Sequence, residues 1–81
     1  MPARSVVVVE VEELIASSLA ARLRAEGFEV GVASDGPSGV DLCRRLAPDL
    51  VVLDVMLPGF DGYEVCRRVQ ADRPVPVLML T

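Results

Sequence analysis

Acidic residues follow two of the most apolar stretches of the 81-residue sequence, at the points where buried strands would end. Glu10 comes directly after a run of four valines, and Asp54 comes directly after a Leu-Val-Val-Leu run. A third apolar stretch ends at Thr81. Carboxylate and hydroxyl oxygens are hard ligands that suit Mg²⁺, which in turn favours a phosphoryl group as a further ligand. If the three stretches are parallel strands, these residues meet at one edge of the sheet.

The hydrophobic pattern predicts four strands that alternate with three helices. The predicted strands are residues 6–9, 28–33, 50–53 and 75–80, and the predicted helices are residues 12–26, 34–46 and 61–71. The first, third and fourth strands are continuous apolar runs, which is typical of strands buried on both faces of a parallel sheet. The second strand alternates with polar residues and indicates an edge strand. Gly27 and Pro48 are typical residues at helix ends.

A βαβαβαβ order with short links and right-handed crossovers predicts a doubly wound α/β sheet with helices on both faces. The apolar periodicity selects the residues that should fill the core. The predicted core is Val7, Val9, Ile15, Leu19, Leu23, Val40, Cys43, Val51, Leu53, Val65, Val69, Val77 and Met79.

Composition excludes several classes of function. The net charge is −4, all eight basic residues are arginine, and there is no histidine, so neither a basic nucleic-acid footprint nor a Ser-His-Asp or His-containing zinc site is expected. Cys43 and Cys66 lack a CxxC spacing and are predicted to be free thiols, as in a cytoplasmic protein. The apolar runs are too short for a membrane span or signal peptide. We therefore expect a single cytoplasmic domain with no membrane partner.

The chain carries a specific twelve-residue match to a known family. Residues 51–62, Val-Val-Leu-Asp-Val-Met-Leu-Pro-Gly-Phe-Asp-Gly, resemble the phosphoacceptor strand and loop of response-regulator receiver domains. Residues 7–10, 33–36 and 76–81 resemble the family's first strand, second loop and fourth strand. Within this family, the chain resembles the receivers of winged-helix transcriptional regulators. The resemblance implies a flavodoxin-like, CheY-like fold with strand order 2-1-3-4. Residues 1–81 would form a partial receiver domain without the fifth strand, its active-site Lys and the last two helices.

The family's site residues can be carried over position by position. The resemblance implies that Asp54 accepts a phosphoryl group from a sensor histidine kinase and that Thr81 hydrogen-bonds the phosphoryl oxygen. It also implies that Glu10, Asp54 and the backbone carbonyl of Met56 hold Mg²⁺. The implied role is two-component signal transduction that regulates transcription, by a phosphorylated signalling module rather than an enzyme.

Position 11 departs from the family pattern. Receivers usually carry an Asp there as a direct Mg²⁺ ligand, whereas this chain has Val11. A weakened metal site is therefore expected, with Glu12 as the alternative ligand. The competing hypothesis is a pseudo-receiver, a protein-interaction module that is not phosphorylated because Val11 replaces the acidic ligand.

Two further expectations concern enzyme activity and self-association. A nucleotide-binding or phosphohydrolase enzyme is disfavoured, because no Gly-x-Gly-x-x-Gly follows the first strand and Met56 stands where a phosphohydrolase would have a second Asp. A receiver that lacks its fifth strand would leave the fourth as an apolar edge. Self-association through that strand is therefore predicted.

Overall fold

The computed structural model describes residues 3–80 as a four-stranded parallel sheet with three helices. The elements are β1 (Ser5–Val9), α1 (Glu13–Ala25), β2 (Glu29–Ala33), α2 (Gly36–Leu46), β3 (Leu50–Asp54), α3 (Gly62–Asp72) and β4 (Val77–Leu80). The strands lie in the order β2-β1-β3-β4, and each neighbouring pair is parallel. The predicted fold class and strand order are confirmed, and every element begins and ends within about two residues of its predicted bounds.

Local sequence signals explain where the second and third helices begin. Asp35 precedes α2 and its carboxylate accepts a hydrogen bond of 2.7 Å from the Ser38 N–H. Asp61 precedes α3 and accepts one of 3.0 Å from the Glu64 N–H. Each aspartate therefore satisfies an amide that has no partner within its own helix. Ala47 ends α2 in the left-handed conformation.

The two faces of the sheet carry separate cores. On one face α1 packs against the sheet through Leu19 and Leu23, and the buried strand residues there are Val6, Val8 and Val52. On the other face α2 and α3 cover the sheet, and the buried residues there include Val7, Val9, Val40, Cys43, Val51, Leu53, Val65 and Val69. The alternation of side chains along β1 and β3 sends successive residues to opposite faces, which is why both strands are apolar throughout.

Five residues of the predicted core are less buried than expected, and two of them, Leu19 and Leu23 of α1, still pack against the sheet although they are only partly buried. Ile15 is 47% exposed, because the inward face of α1 is formed by the buried Ala16 and Ala20 rather than by a stripe that begins at Ile15. Small alanine side chains let the helix lie close to the sheet, and Ile15 then points away from it. Val77 and Met79 are only partly buried, because β4 lies at the edge of the sheet.

Both cysteines are free thiols, as predicted. Burial raises the pKa of the Cys43 thiol to about 11, so that this side chain serves as a small apolar core residue. Cys66 is partly buried and packs against the same core. Among the described residues, the helices are all too short or too polar to cross a lipid bilayer.

The last strand presents apolar surface to solvent. Within residues 3–80, β4 pairs with β3 alone, and the Leu78 side chain is 55% exposed on the face that also carries α1. On the outer surface of α1, Leu14 is 83% exposed. Exposed apolar strands at a sheet edge tend to pair with other chains.

We therefore expect the 81-residue chain to self-associate at micromolar concentration. Leu78→Lys should shift sedimentation toward the monomer, since a charged side chain on an edge strand opposes pairing. Leu14→Lys is the matched control, because it places the same charge on exposed α1 surface away from the strand. A wild-type chain that sediments as a monodisperse monomer, or equal effects of both substitutions, would contradict association through β4.

Candidate functional site

The register of the sheet places the two predicted carboxylates side by side. Val9 of β1 pairs with Leu53 of β3, so the next residue of each chain segment, Glu10 and Asp54, lies at the same level of the sheet. This is the carboxyl edge, where doubly wound folds bind ligands. Asp54 in turn pairs with Leu80 of β4. Thr81, the third predicted site residue, lies outside the described residues, so its role stays a prediction.

Glu10 is the one charged residue among the buried residues of positions 3–80, with 5% of its surface exposed. Its carboxylate oxygen Oε2 accepts a hydrogen bond of 2.9 Å from the Glu12 N–H, and its own N–H donates to the Ala33 carbonyl at 3.0 Å. A buried carboxylate is costly unless donors or a cation compensate its charge. The Glu12 amide supplies one such donor and fixes the direction of the side chain.

Asp54 is partly exposed at the end of β3. Its Oδ1 atom accepts a hydrogen bond of 3.2 Å from the Met56 N–H. The Met56 side chain is 76% exposed, so this residue contributes to the site through its backbone rather than its thioether. The arrangement presents a solvent-accessible carboxylate in a fixed orientation, which suits either a nucleophile or a cation ligand.

The start of α3 lies directly against the backbone of Asp54. The Gly62 N–H donates to the Val55 carbonyl at 2.8 Å, and the Val55 N–H donates to the Leu80 carbonyl at 3.3 Å. A Cβ atom at position 62 would overlap the Asp54 carbonyl oxygen and lie 2.9 Å from the Val55 Cα. Sequence reasoning did not select Gly62, although the Asp-Gly pair at positions 61–62 marks a tight turn at which a backbone could approach closely.

Gly62→Ala should destabilise the fold by about 2 kcal/mol, because the obstructing atoms belong to the backbone and cannot rotate away. It should also slow any reaction at Asp54 by displacing β3. Gly27→Ala is the matched control: position 27 has φ 97° and open space around it, so that the substitution strains the chain far from Asp54. Denaturant unfolding measures both losses. Phosphoryl uptake should fall for the folded Gly62 variant alone, and equal uptake by both folded variants would contradict this role of Gly62.

The residues around position 11 supply fewer carboxylate ligands than two acidic residues at positions 10 and 11 would. Val11 is 44% exposed, and the Glu12 N–H is already bonded to Glu10. An open groove of about 750 Å³ runs beside them, lined in part by Glu10, Val11, Glu13 and Asp35. Nowhere in residues 3–80 do three or more Asp, Glu, Cys or His side chains surround a common point as metal ligands would.

The predicted donors for a cation are the carboxylates of Glu10 and Asp54 and the carbonyl oxygen of Met56, and the sheet register brings the first two to the same level of the carboxyl edge. Mg²⁺ is commonly held by one or two carboxylates, with water and phosphate oxygens completing six ligands. The chemistry of this donor set fits Mg²⁺, with one carboxylate fewer than a site that has an acidic residue at position 11.

Comparison with known proteins identifies a single family. The model of the response regulator receiver domain matches residues 6–81. The sensory transduction protein RegX3 of Mycolicibacterium smegmatis is 49% identical over 77 residues, which are 95% of this chain and 34% of that protein. RegX3 of Mycobacterium tuberculosis is 48% identical over the same share of each chain.

Solved receiver structures superpose closely. The BeF3-activated receiver domain of RstA from Klebsiella pneumoniae has a TM-score of 0.90 at 35% identity, over 96% of this chain and 67% of that one. The non-phosphorylated receiver domain of HemR from Leptospira biflexa has a TM-score of 0.87 at 32% identity, over 96% and 64%. The chain thus spans about a third of the length of the RegX3 proteins and about two thirds of these receiver structures.

Proposed function

The chain belongs to the response regulator receiver domain family, and from this premise we propose that its Asp54 carboxylate accepts a phosphoryl group from a sensor histidine kinase. The observation that carries the proposal is the position of Asp54: a partly exposed carboxylate at the carboxyl end of β3, level with the buried Glu10. The chain is the receiver part of a two-component response regulator.

The proposed reaction requires little beyond positioning and charge neutralisation. A carboxylate oxygen of Asp54 attacks the phosphorus of a phosphohistidine, the P–N bond breaks, and the imidazole nitrogen leaves with the electron pair. The hydrogen bond from the Met56 N–H holds the carboxylate in its orientation before attack. In the same proposal the Thr81 hydroxyl donates to an oxygen of the transferred group.

Mg²⁺ is the cofactor that the donor set suits, and when bound it would offset negative charge on the phosphoryl oxygens and the two carboxylates. Glu10, Asp54 and the Met56 carbonyl would hold it. Glu12 is the alternative ligand, since its exposed side chain begins two residues from Glu10. Because Val11 supplies no oxygen, we propose that the affinity for Mg²⁺ is lower than in receivers with an Asp at this position.

The second candidate function is a pseudo-receiver, an interaction module that takes up no phosphoryl group. The observation that favours it is Val11, which supplies no oxygen ligand at the position where receivers usually carry an Asp. The two candidates share a fold and differ only in the chemistry of Asp54, so that a measurement of phosphorylation separates them.

The output of the whole protein is also a proposal. By analogy with the sensory transduction protein RegX3, we propose that residues 1–81 are part of a receiver in a longer regulator of transcription. The two free thiols suit the reducing cytoplasm, where we place the reaction with the kinase.

Incubation with acetyl phosphate and Mg²⁺, followed by intact mass spectrometry and peptide mapping, tests the proposal. One added phosphoryl group on the peptide that contains Asp54 is the expected result. No uptake at any Mg²⁺ concentration, by a chain whose circular dichroism shows it to be folded, would overturn it in favour of the pseudo-receiver.

A further inference from the structure

The loop between β3 and α3, residues 55–61, is held against α2. The Gly36 N–H at the start of α2 donates to the Pro58 carbonyl at 3.0 Å. A Cβ atom at Gly36 would overlap the Phe60 carbonyl and lie 2.8 Å from the ring atom Cδ2, so that this ring lies directly on the helix start. The loop carries Met56, whose exposed side chain cannot anchor it. Contacts farther along the loop therefore add to the backbone hydrogen bonds of Val55 and Met56 in fixing its position.

Arg68 of α3 makes one of these contacts. Its guanidinium carbon lies 4.1 Å from the centroid of the Phe60 ring. A guanidinium over an aromatic face is attracted by the negative face of the ring. Phe60 is partly buried against the core, so the arginine covers the side of the ring that the core leaves open.

Glu64 holds the Arg68 side chain in this place. Its Oε2 atom accepts from the Arg68 Nε at 2.7 Å. Arg67 bonds the same carboxylate, with 3.0 Å between its Nε and Oε1, but it is not the arginine over the Phe60 ring. These hydrogen bonds lower the pKa of the Glu64 carboxyl to about 2, so it is ionised throughout the neutral range.

We propose that Arg68 is a positioning residue for the phosphoacceptor site: held by Glu64, its guanidinium clamps Phe60 and thereby fixes the loop that presents the Met56 backbone to Asp54. The inference deepens the proposed function and rests on it. The supporting contacts are those of Arg68 with Phe60, of the loop with Gly36, and of the Met56 N–H with the Asp54 carboxylate, and the backbone of the loop connects them.

Arg68→Met is the informative variant, because it keeps a long apolar stem but removes the cation over the ring. Arg67→Met is the matched control, since it removes an ion pair with the same carboxylate and leaves Phe60 covered. We expect Arg68→Met to weaken Mg²⁺ binding about two- to fivefold, the range of an exposed cation–π contact, and Arg67→Met to leave it unchanged. Arg68→Lys keeps a cation at this position and should therefore retain most of the wild-type affinity for Mg²⁺.

Two further measurements keep the clamp distinct from a general loss of stability. Hydrogen exchange of the Gly36 amide, which is bonded to the loop, should quicken in Arg68→Met and not in Arg67→Met. In a double-mutant cycle, Phe60→Leu should add little to the loss in Arg68→Met, because both substitutions remove the same contact.

Equal effects of the two arginine substitutions would overturn the proposal, as would unchanged Gly36 exchange in Arg68→Met. If the wild-type chain binds neither Mg²⁺ nor a phosphoryl group, the proposed function fails, while the exchange measurement still reports whether Arg68 clamps the loop. The two failures are thus distinguishable.

Discussion

Asp54→Asn should abolish phosphoryl uptake from acetyl phosphate. An amide oxygen is a far weaker nucleophile than a carboxylate, and the amide also supplies no negative charge to a cation. The fold should survive, because Asp54 is partly exposed and an amide oxygen can still accept the hydrogen bond from the Met56 N–H. Intact mass after incubation with the donor and Mg²⁺ measures the loss.

Asp49→Asn is the matched control for this substitution. Asp49 precedes β3 at the opposite end of the strand, where its Oδ2 atom accepts a hydrogen bond of 2.8 Å from the Ser5 N–H. The same change of carboxylate to amide there should leave phosphoryl uptake at the wild-type level. Uptake that persists in Asp54→Asn would show that another carboxylate is the acceptor, with Glu10 the first candidate to map.

The sequence predicted the fold well because the signals that determine it are local and strong. The continuous apolar runs of β1 and β3 are typical of strands buried on both faces of a parallel sheet, and α2 and α3 begin directly after the capping residues Asp35 and Asp61. The inward face of α1 was harder to predict. Ala16 and Ala20 carry a weak hydrophobic signal beside Ile15, yet their small size suits them to the surface nearest the sheet.

The candidate site, too, could be predicted only in part. The adjacency of Glu10 and Asp54 follows from strand order alone, since parallel strands end at one edge. The contacts of the loop at 55–61 could not be predicted in this way, because Phe60 meets Gly36 only once α2 lies against the loop, and its contact with Arg68 depends on how the chain turns into α3. Such contacts depend on tertiary geometry, which no spacing in the sequence encodes.

Val11→Asp should tighten Mg²⁺ binding about tenfold or more. Loss of a residue that merely supports a metal ligand weakens sites by about 10- to 100-fold, and a direct carboxylate ligand should matter at least as much. Val11 is 44% exposed beside the groove that Glu10 and Glu13 also line, so a carboxylate there faces solvent and other acidic groups. Without metal these like charges repel, and the variant should be slightly less stable than the wild type.

Added Mg²⁺ should then reverse the loss of stability in Val11→Asp. A ligand that binds only the folded state raises its stability in proportion to the logarithm of ligand concentration over the dissociation constant. The increase in melting temperature with added Mg²⁺ should accordingly be larger for Val11→Asp than for the wild type. Val11→Asn is the matched control: it has the same shape without the charge, and its Mg²⁺ response should stay near that of the wild type.

The Mg²⁺ titration of Val11→Asp also decides whether Glu12 replaces the carboxylate that position 11 lacks. If Glu12 already reaches the cation, Val11→Asp should leave the Mg²⁺ titration unchanged, and Glu12→Gln in the otherwise wild-type chain should weaken binding. Because the Glu12 N–H bonds the Glu10 carboxylate through the backbone, this substitution leaves that hydrogen bond intact. A loss in Glu12→Gln can then be assigned to the Glu12 carboxylate itself, whereas an unchanged titration in Glu12→Gln combined with tighter binding in Val11→Asp assigns the weakness of the site to Val11.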